Sequence, residues 1–285
     1  MASSIDPASV NIKKGIFEQS EWKKIDSFSD NPVYHFKKSK DIMMITINDR
    51  KINHENLDDE VKEKLDLEFE HIIFISRHTS KTGNPTLTVH PIGNYGAAEY
   101  GGKSRTLVEA SPVLMTQLLR NLKNNAKLAK LYHKVCFEVT HHGPYLKTPT
   151  LFVEVGSNEE EWKKTKPARI VAKSVIELLE SYISNELFIE KSPVIIGLGG
   201  GHYAPRFTDV ALAKKVSFGH MIPMYHIEGG SIDEEMIEIA LKKSPQARGV
   251  YIHKKSMKKS QVTEYKNWFE SKGIKVFSSK ELEEL

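Results

Sequence analysis

Five of the twelve histidines stand just beyond a strand-like run or in the loop that follows one: His78, His90, His141, His142 and His202. Neutral imidazole and carboxylate are usual ligands of zinc, and imidazole titrates near neutrality, which also suits a general base. Glu138, Glu154, Arg77 and Arg206 lie in or next to the same segments. One such histidine is more often a surface or hydrogen-bonded side chain. Five in equivalent positions, each flanked by Gly, Pro, Ser or Thr, form a constellation. In open parallel sheets the crevice beyond the strands' carboxyl ends is where ligands bind. His141 and His142 are adjacent, and neighbours on a strand point to opposite faces. Both reach one site only if the strand has already ended, which Gly143-Pro144 allows.

Other motifs are less specific. Gly199-Gly200-Gly201 follows a strand and offers backbone N–H groups to a phosphate or an oxyanion, or is simply a tight strand-to-helix turn. It is no dinucleotide fingerprint, because His202 stands where glycine is needed. Gly96 to Ser104 has one residue too many for a P-loop, and there is no GxSxG or HExxH. Lys254, Lys255, Lys258 and Lys259 directly follow a strand on the side of the histidines, where a phosphate backbone could arrive.

The elements that must hold these residues alternate. Helix, strand and turn signals place helices at Val10–Glu21 (opened by Asp6-Pro7), from Pro112 to about Tyr132, from Pro167, from about Thr208, at Ile232–Lys243 and at Val262–Lys272. Strands fall at Ile42–Ile47, His71–Ser76, Thr86–His90, Val135–Thr140, Thr150–Val155, Pro193–Leu198, Gly249–His253 and Ile274–Phe277. Near-continuous apolar strands between amphipathic helices predict an α/β fold on a largely parallel sheet, in one domain over 1–285. The Gly/Pro/Asn-rich stretch from Thr79 to Gly102 is longer than an ordinary connection and reads as a functional loop.

Composition bounds the rest. The single Cys136 sits between Val135 and Phe137 and reads as a buried inert thiol; it excludes a disulfide framework and a CxxC zinc module, and fits a reducing cytoplasm. Met1–Ser9 lacks the regions of a signal peptide, and no apolar run approaches the roughly 20 residues of a membrane span. Thirty-four Lys and 27 Glu against four Gln match the usage of hyperthermophiles or of an AT-rich genome. A net charge of +4 permits a polyanionic partner without demanding one.

Five segments carry a resemblance: Ser76-Arg77-His78-Thr79-Ser80; Pro85 to His90 with Gly93-Asn94; Glu138-Val139-Thr140-His141-His142-Gly143-Pro144; Phe152 to Ser157; and Gly199-Gly200-Gly201-His202-Tyr203-Ala204-Pro205-Arg206. Together with Asp6 to Ile12, they resemble the D-aminoacyl-tRNA deacylases of the archaeal and plant type. The resemblance implies a three-layer α/β/α fold akin to peptidyl-tRNA hydrolases and phosphorylases, and a zinc-dependent hydrolase acting on the ester of D-aminoacyl-tRNA. On the chemistry of the side chains, His141, His142, His202 and Glu154 are expected to bind zinc, which lowers the pKa of a water. His78 or His90 would shuttle the proton. Gly199, Gly200, Gly201 or Arg206 would hold the oxyanion or terminal ribose-phosphate, and Arg77, Lys254 and Lys255 the tRNA end. Alternatives are a metal-free hydrolase with a histidine base, a phosphorylase-like enzyme, and a non-catalytic tRNA binder.

Overall fold

In the computed structural model, which describes residues 1–188 and 192–285, Asp6 caps the first helix. Its Oδ1 accepts the Ser9 amide at 3.0 Å, and Pro7 takes the first helical position, where a missing N–H is no loss. Strand β1 (Ala2–Ser3) leads through this cap into α1 (Pro7–Gln19). An antiparallel meander follows, β2 (Trp22–Phe28), β3 (Asn31–Phe36) and β4 (Ser39–Met44), and β5 (Thr46–Ile47) then returns beside β1. The strand expected over Ile42–Ile47 is therefore two short ones, β4 on the meander's edge and β5 paired with β1. Strand β2 gives no sequence signal because Lys23–Ser27 are exposed; its pairing with β3 defines it.

The first large sheet is built by α2 (Leu57–Leu65), β6 (Ile72–Thr79), β7 (Thr86–Pro91), the small hairpin β8 (Gly93–Asn94) and β9 (Thr106–Leu107), α3 (Pro112–Leu128), β10 (Lys134–Phe137), β11 (Thr150–Ser157), α4 (Glu159–Lys163) and α5 (Thr165–Ile183). Its order is β10-β7-β11-β6; only the β11–β7 pair is antiparallel. The second sheet comes from β12 (Val194–Leu198), α6 (Pro205–Ala213), β13 (Ser217–Ile222), α7 (Met224–Glu228), α8 (Glu234–Lys242), β14 (Ala247–Ile252), α9 (Lys259–Ser271) and β15 (Lys275–Phe277). Its order is β13-β12-β14-β15, all parallel. The α/β, parallel-rich class is as the alternation predicts, but the strands divide between two sheets. These abut where the chain leaves β10: the Thr140 amide donates to the Met221 carbonyl at 3.1 Å, and the Met221 amide donates to Thr140 Oγ1 at 3.0 Å.

Layers follow from the two-residue period of the strands. Ile75, Leu87, Val89, Leu151, Val153 and Val155 pack against α1, α3 and α5 through Ile12, Leu118, Leu119, Val171 and Leu178. The opposite face of the same strands carries Phe74 and Phe152, with ring centroids 4.8 Å apart, packed on Val33, Ile45, Leu57 and Val61. Beneath the second sheet, Leu198, Val250 and Ile252 meet Met236, Ile237 and Phe269. Among the described residues, no helix is long and apolar enough to cross a membrane.

Candidate active site

The face that carries Phe74 and Phe152 turns polar at its far end. Two residues beyond Phe152 comes Glu154, and four beyond Phe74 comes His78; the register sets Phe152 opposite both Phe74 and His90, and Gly156 opposite His78. Glu138 continues β10, its amide donating to the Val89 carbonyl at 3.0 Å. Four adjacent strands thus deliver His78, Glu154, His90 and Glu138 to one wall. Gly156 makes room for the wall: a Cβ there would stand 2.6 Å from Thr86 Oγ1 and 2.8 Å from His78 Cδ2.

His141 and His142 join them because strand geometry has ended. His142 has φ +43°, a left-handed conformation that breaks the alternation, and the two rings lie 4.4 Å apart. His202 enters from the second sheet, after the glycine loop, with its ring 4.7 Å from that of His141. Nitrogens or carboxylate oxygens of three groups of side chains converge within 4.8 Å: His90, His141 and His142; His78, Glu138 and His202; His90, Glu138 and Glu154.

Backbone carbonyls set the tautomers, since a carbonyl only accepts. Nδ1–H of His90 donates to Pro91 (3.1 Å), that of His141 to Val139 (2.8 Å) and that of His142 to Gly143 (2.6 Å). Each ring is left with Nε2 for the pocket, the arrangement by which metal-ligating histidines are oriented. Glu138 is wholly buried and neither oxygen makes a well-directed hydrogen bond. Around it stand His78 Nδ1 at 3.2 Å, His202 Nε2 at 3.0 Å and His141 Nε2 at 3.5 Å. Glu154 Oε2 lies 3.4 Å from His78 Nδ1 and 3.7 Å from His90 Nε2.

Charge divides the ring set. Burial pulls the His78 imidazolium down, but Glu138 and Glu154 outweigh it and raise the group to about 10. Burial opposes the charged form of His90 as well, and Glu154 again prevails to raise it. Burial, and then the neighbouring imidazoles led by His90, hold His141 well below its ordinary value and His142 at about 4. Burial works to raise Glu138 and Glu154, yet His78 with His202 pulls Glu138 below the usual carboxylate range, and His78 with His90 does so for Glu154.

One contact in this set lacks a proton. His141 is neutral with its hydrogen on Nδ1, so its Nε2 lone pair faces the Glu138 carboxylate at 3.5 Å. Two acceptors at that separation repel unless a cation lies near them, and the His78 imidazolium, 3.2 Å from Glu138, is one such cation. The residues present fit a zinc ion, with His90, His141 and His142 as nitrogen donors and Glu154 or Glu138 as oxygen donor.

Not every expected residue reaches this pocket. Arg77, one residue from His78 on β6, faces away as alternation demands; its guanidinium lies 5.0 Å from the Trp162 ring, and its amide donates to Asp6 Oδ2 at 3.0 Å. Arg206 is turned to the second sheet, where it donates to the Tyr251 hydroxyl (2.6 Å) and to Ser279 Oγ (3.1 Å). Gly199, Gly200 and Gly201 border His202, and Gly200 donates its amide to Ser256 Oγ at 2.8 Å, which puts the Lys254–Ser256 turn beside the glycine loop. Cys136 is buried and burial pushes its thiol up to about 12. Sequence reasoning noted Glu138 but gave it no role; the signal was its two-residue register with Cys136 on an apolar strand. It also gave no role to Tyr203, whose hydroxyl lies 3.1 Å from His78 Nε2. Nor did it see that Asp6, besides capping α1, accepts from Lys51 Nζ at 2.7 Å in a buried ion pair that braces β6 from behind.

Comparison with known proteins agrees with this constellation. A family model described as D-aminoacyl-tRNA deacylase matches residues 65–277. A D-aminoacyl-tRNA deacylase of Pyrococcus abyssi is 40% identical over 227 residues, 79% of each chain. One of Methanosarcina acetivorans is 35% identical over 288 aligned positions, covering 100% of this chain and 93% of its own. A crystal structure of a conserved protein of unknown function superposes with a TM-score of 0.85 at 30% identity, over 99% of this chain and 96% of the other. The matched span contains every histidine and carboxylate of the pocket, and on these grounds the chain belongs to the D-aminoacyl-tRNA deacylase family.

Proposed function

We propose that this chain hydrolyses the ester joining a D-amino acid to the 3′ end of tRNA, with zinc held by His90, His141, His142 and Glu154. The observation that supports the metal is the convergence of the His90, His141 and His142 nitrogens within 4.8 Å of one another. Zinc bound there would supply Lewis-acid polarisation of the ester carbonyl. An aminoacyl ester is already labile, so positioning and a base complete what the reaction needs.

The chain's own residues do the remainder. Glu138 Oε2 lies 3.0 Å from His202 Nε2, and its negative charge favours the tautomer with the hydrogen on that nitrogen and a lone pair on Nδ1. With 36% of its side chain exposed, against 5% for His78, His202 is open to water. His202 takes the proton as the water oxygen bonds to the ester carbon. The bond from that carbon to the ribose oxygen then breaks, and this oxygen takes a proton from Tyr203. The His78 imidazolium donates Nε2–H to the Tyr203 oxygen at 3.1 Å, so the phenol keeps its own hydrogen for the pocket and His78 restores it. Relative to the sequence-based roles, His90 and His202 exchange ligand and base. Gly199–Gly201, Lys254 and Lys255 remain the groups for the tRNA end, whereas Arg77 and Arg206 drop out. Both enantiomers offer the same groups, so discrimination rests on a wall that leaves no room for the L side chain.

The test is hydrolysis of D-Tyr-tRNA and L-Tyr-tRNA by the purified chain, before and after exhaustive chelation. Release of D-tyrosine alone, abolished by chelation and restored by zinc, is expected. Full turnover without metal by elemental analysis would leave a histidine-base hydrolase. Phosphate-dependent product would reveal a phosphorylase, and tRNA binding without cleavage a binding protein.

A further inference from the structure

Tyr225, the second residue of α7, is 46% exposed although its surroundings belong to the pocket. The backbone puts it there: the Met224 amide donates to the Gly200 carbonyl at 2.9 Å, two residues before His202. Its ring has an aromatic neighbour. His226 lies against it, centroids 4.8 Å apart, and is backed in turn by the wholly buried ring of Tyr95 at 5.5 Å. Burial and the charge of Glu138 push its phenol up to about 12, in keeping with a position at the pocket's edge. The other side of Gly200 is basic. Its amide bonds Ser256, the last residue of the turn that carries the exposed side chains of Lys254 and Lys255. Gly200 is thus joined through its carbonyl to the helix that carries a half-exposed tyrosine and through its amide to the turn that carries two exposed lysines.

We propose that Tyr225 is the stacking platform for the terminal base of the acceptor strand, and that Lys254 and Lys255 meet the phosphate of that same nucleotide. The proposal rests on the deacylase reading, which requires the terminal ribose to sit at His202. A single-stranded end is recognised by stacking of unpaired bases on aromatic side chains and by cations along the backbone. A base on Tyr225 and a phosphate on the lysine turn would straddle Gly200 and leave the ribose between them, facing the histidines.

Three substitutions, Tyr225→Ala, Tyr225→Phe and Tyr225→Trp, separate stacking from chemistry. The alanine variant is expected to raise KM for D-Tyr-tRNA about 10- to 100-fold with kcat within about threefold, while Phe and Trp keep the wild-type KM. Binding of AMP and UMP, read directly by calorimetry and so independent of turnover, should favour the purine and weaken about tenfold or more in the alanine variant. The double variant Lys254→Ala/Lys255→Ala, which frees one phosphate, should flatten the salt dependence of tRNA binding by a slope of about 0.7. An unchanged KM and AMP affinity in Tyr225→Ala overturns the platform and leaves the deacylase intact. Loss of kcat in Tyr225→Phe also overturns it, by assigning the hydroxyl to the chemistry. Absence of D-Tyr-tRNA hydrolysis by the wild-type chain defeats the deacylase reading instead, and the AMP measurement still decides whether Tyr225 stacks a base.

Discussion

Glu138 Oε2 and His202 Nε2 stand 3.0 Å apart across the boundary between the two large sheets, one side chain wholly buried and the other open to solvent. The charge of the carboxylate favours the imidazole tautomer that carries its hydrogen on Nε2. Glu138→Gln removes that charge and with it the preference for one tautomer. We expect kcat to fall by about 10²- to 10⁴-fold, as for other base–orienter pairs, with little change in KM. A variant that turns over at the wild-type rate removes His202 as the base.

On the proposed ligand set, zinc retention should follow the three-imidazole group. His142→Ala and His90→Ala should lose the metal on dialysis while the wild type keeps it. Because a ligand that binds only the folded state stabilises it, chelation should lower the wild-type Tm and leave these variants unmoved. Equal zinc content in wild type and variants, by elemental analysis, would reassign the ligands.

His220 gives a pH signature. It is wholly buried; its Nε2–H donates to the Val108 carbonyl at 3.0 Å, and its Nδ1 accepts from the Thr140 hydroxyl at 3.0 Å. Burial holds it near 3, below the roughly 6.5 of an unfolded chain. The unfolded state thus binds a proton first, so this contribution is present above about pH 6.5 and is lost as pH falls towards 3. Between pH 7.5 and 4.5 the wild type should lose about 3 kcal/mol more stability than His220→Asn. Parallel curves by urea denaturation would show that His220 is not held neutral.

Gly156→Ala tests the room behind His78. The added methyl must displace Thr86 or His78, at a cost of about 1–3 kcal/mol, and turnover should fall while the fold persists. Retained kcat would mean that His78 need not hold its place.

Arg206 is expected to be structural. Arg206→Lys loses its paired contact with Tyr251 and should lower stability by about 1 kcal/mol, with kcat within about twofold. A large loss of turnover at unchanged Tm would return it to the reaction.

What could be read from the chain, and what could not, has a physical pattern. Helices α3, α5, α8 and α9 announce themselves by apolar period, Pro and cap residues, and the parallel strands by continuous apolar runs. The β2–β3 hairpin does not, since Lys23–Ser27 are exposed and its stability lies in pairing. The histidines were visible because loops after strands form crevices. Their grouping was not, because it depends on the left-handed turn at His142 and on register across four strands. Arg77 and His78 could have been separated by alternation alone, the same rule that was applied to His141 and His142. Arg206 could not, since its partner Ser279 lies 73 residues away.

The abutment at Thr140 and Met221 has a consequence for how the pocket comes into being. The three imidazoles that would take the metal, and both carboxylates, hang from the first sheet, while His202, Tyr203 and Tyr225 arrive with the second. The halves share one apolar core, in which Phe207, Val210, Phe218 and Met221 pack with Ile75, Val89 and Val153. On the proposed roles the ligands and the base therefore belong to different sheets, and a substitution that shifts this seam would misplace one against the other while leaving each sheet intact.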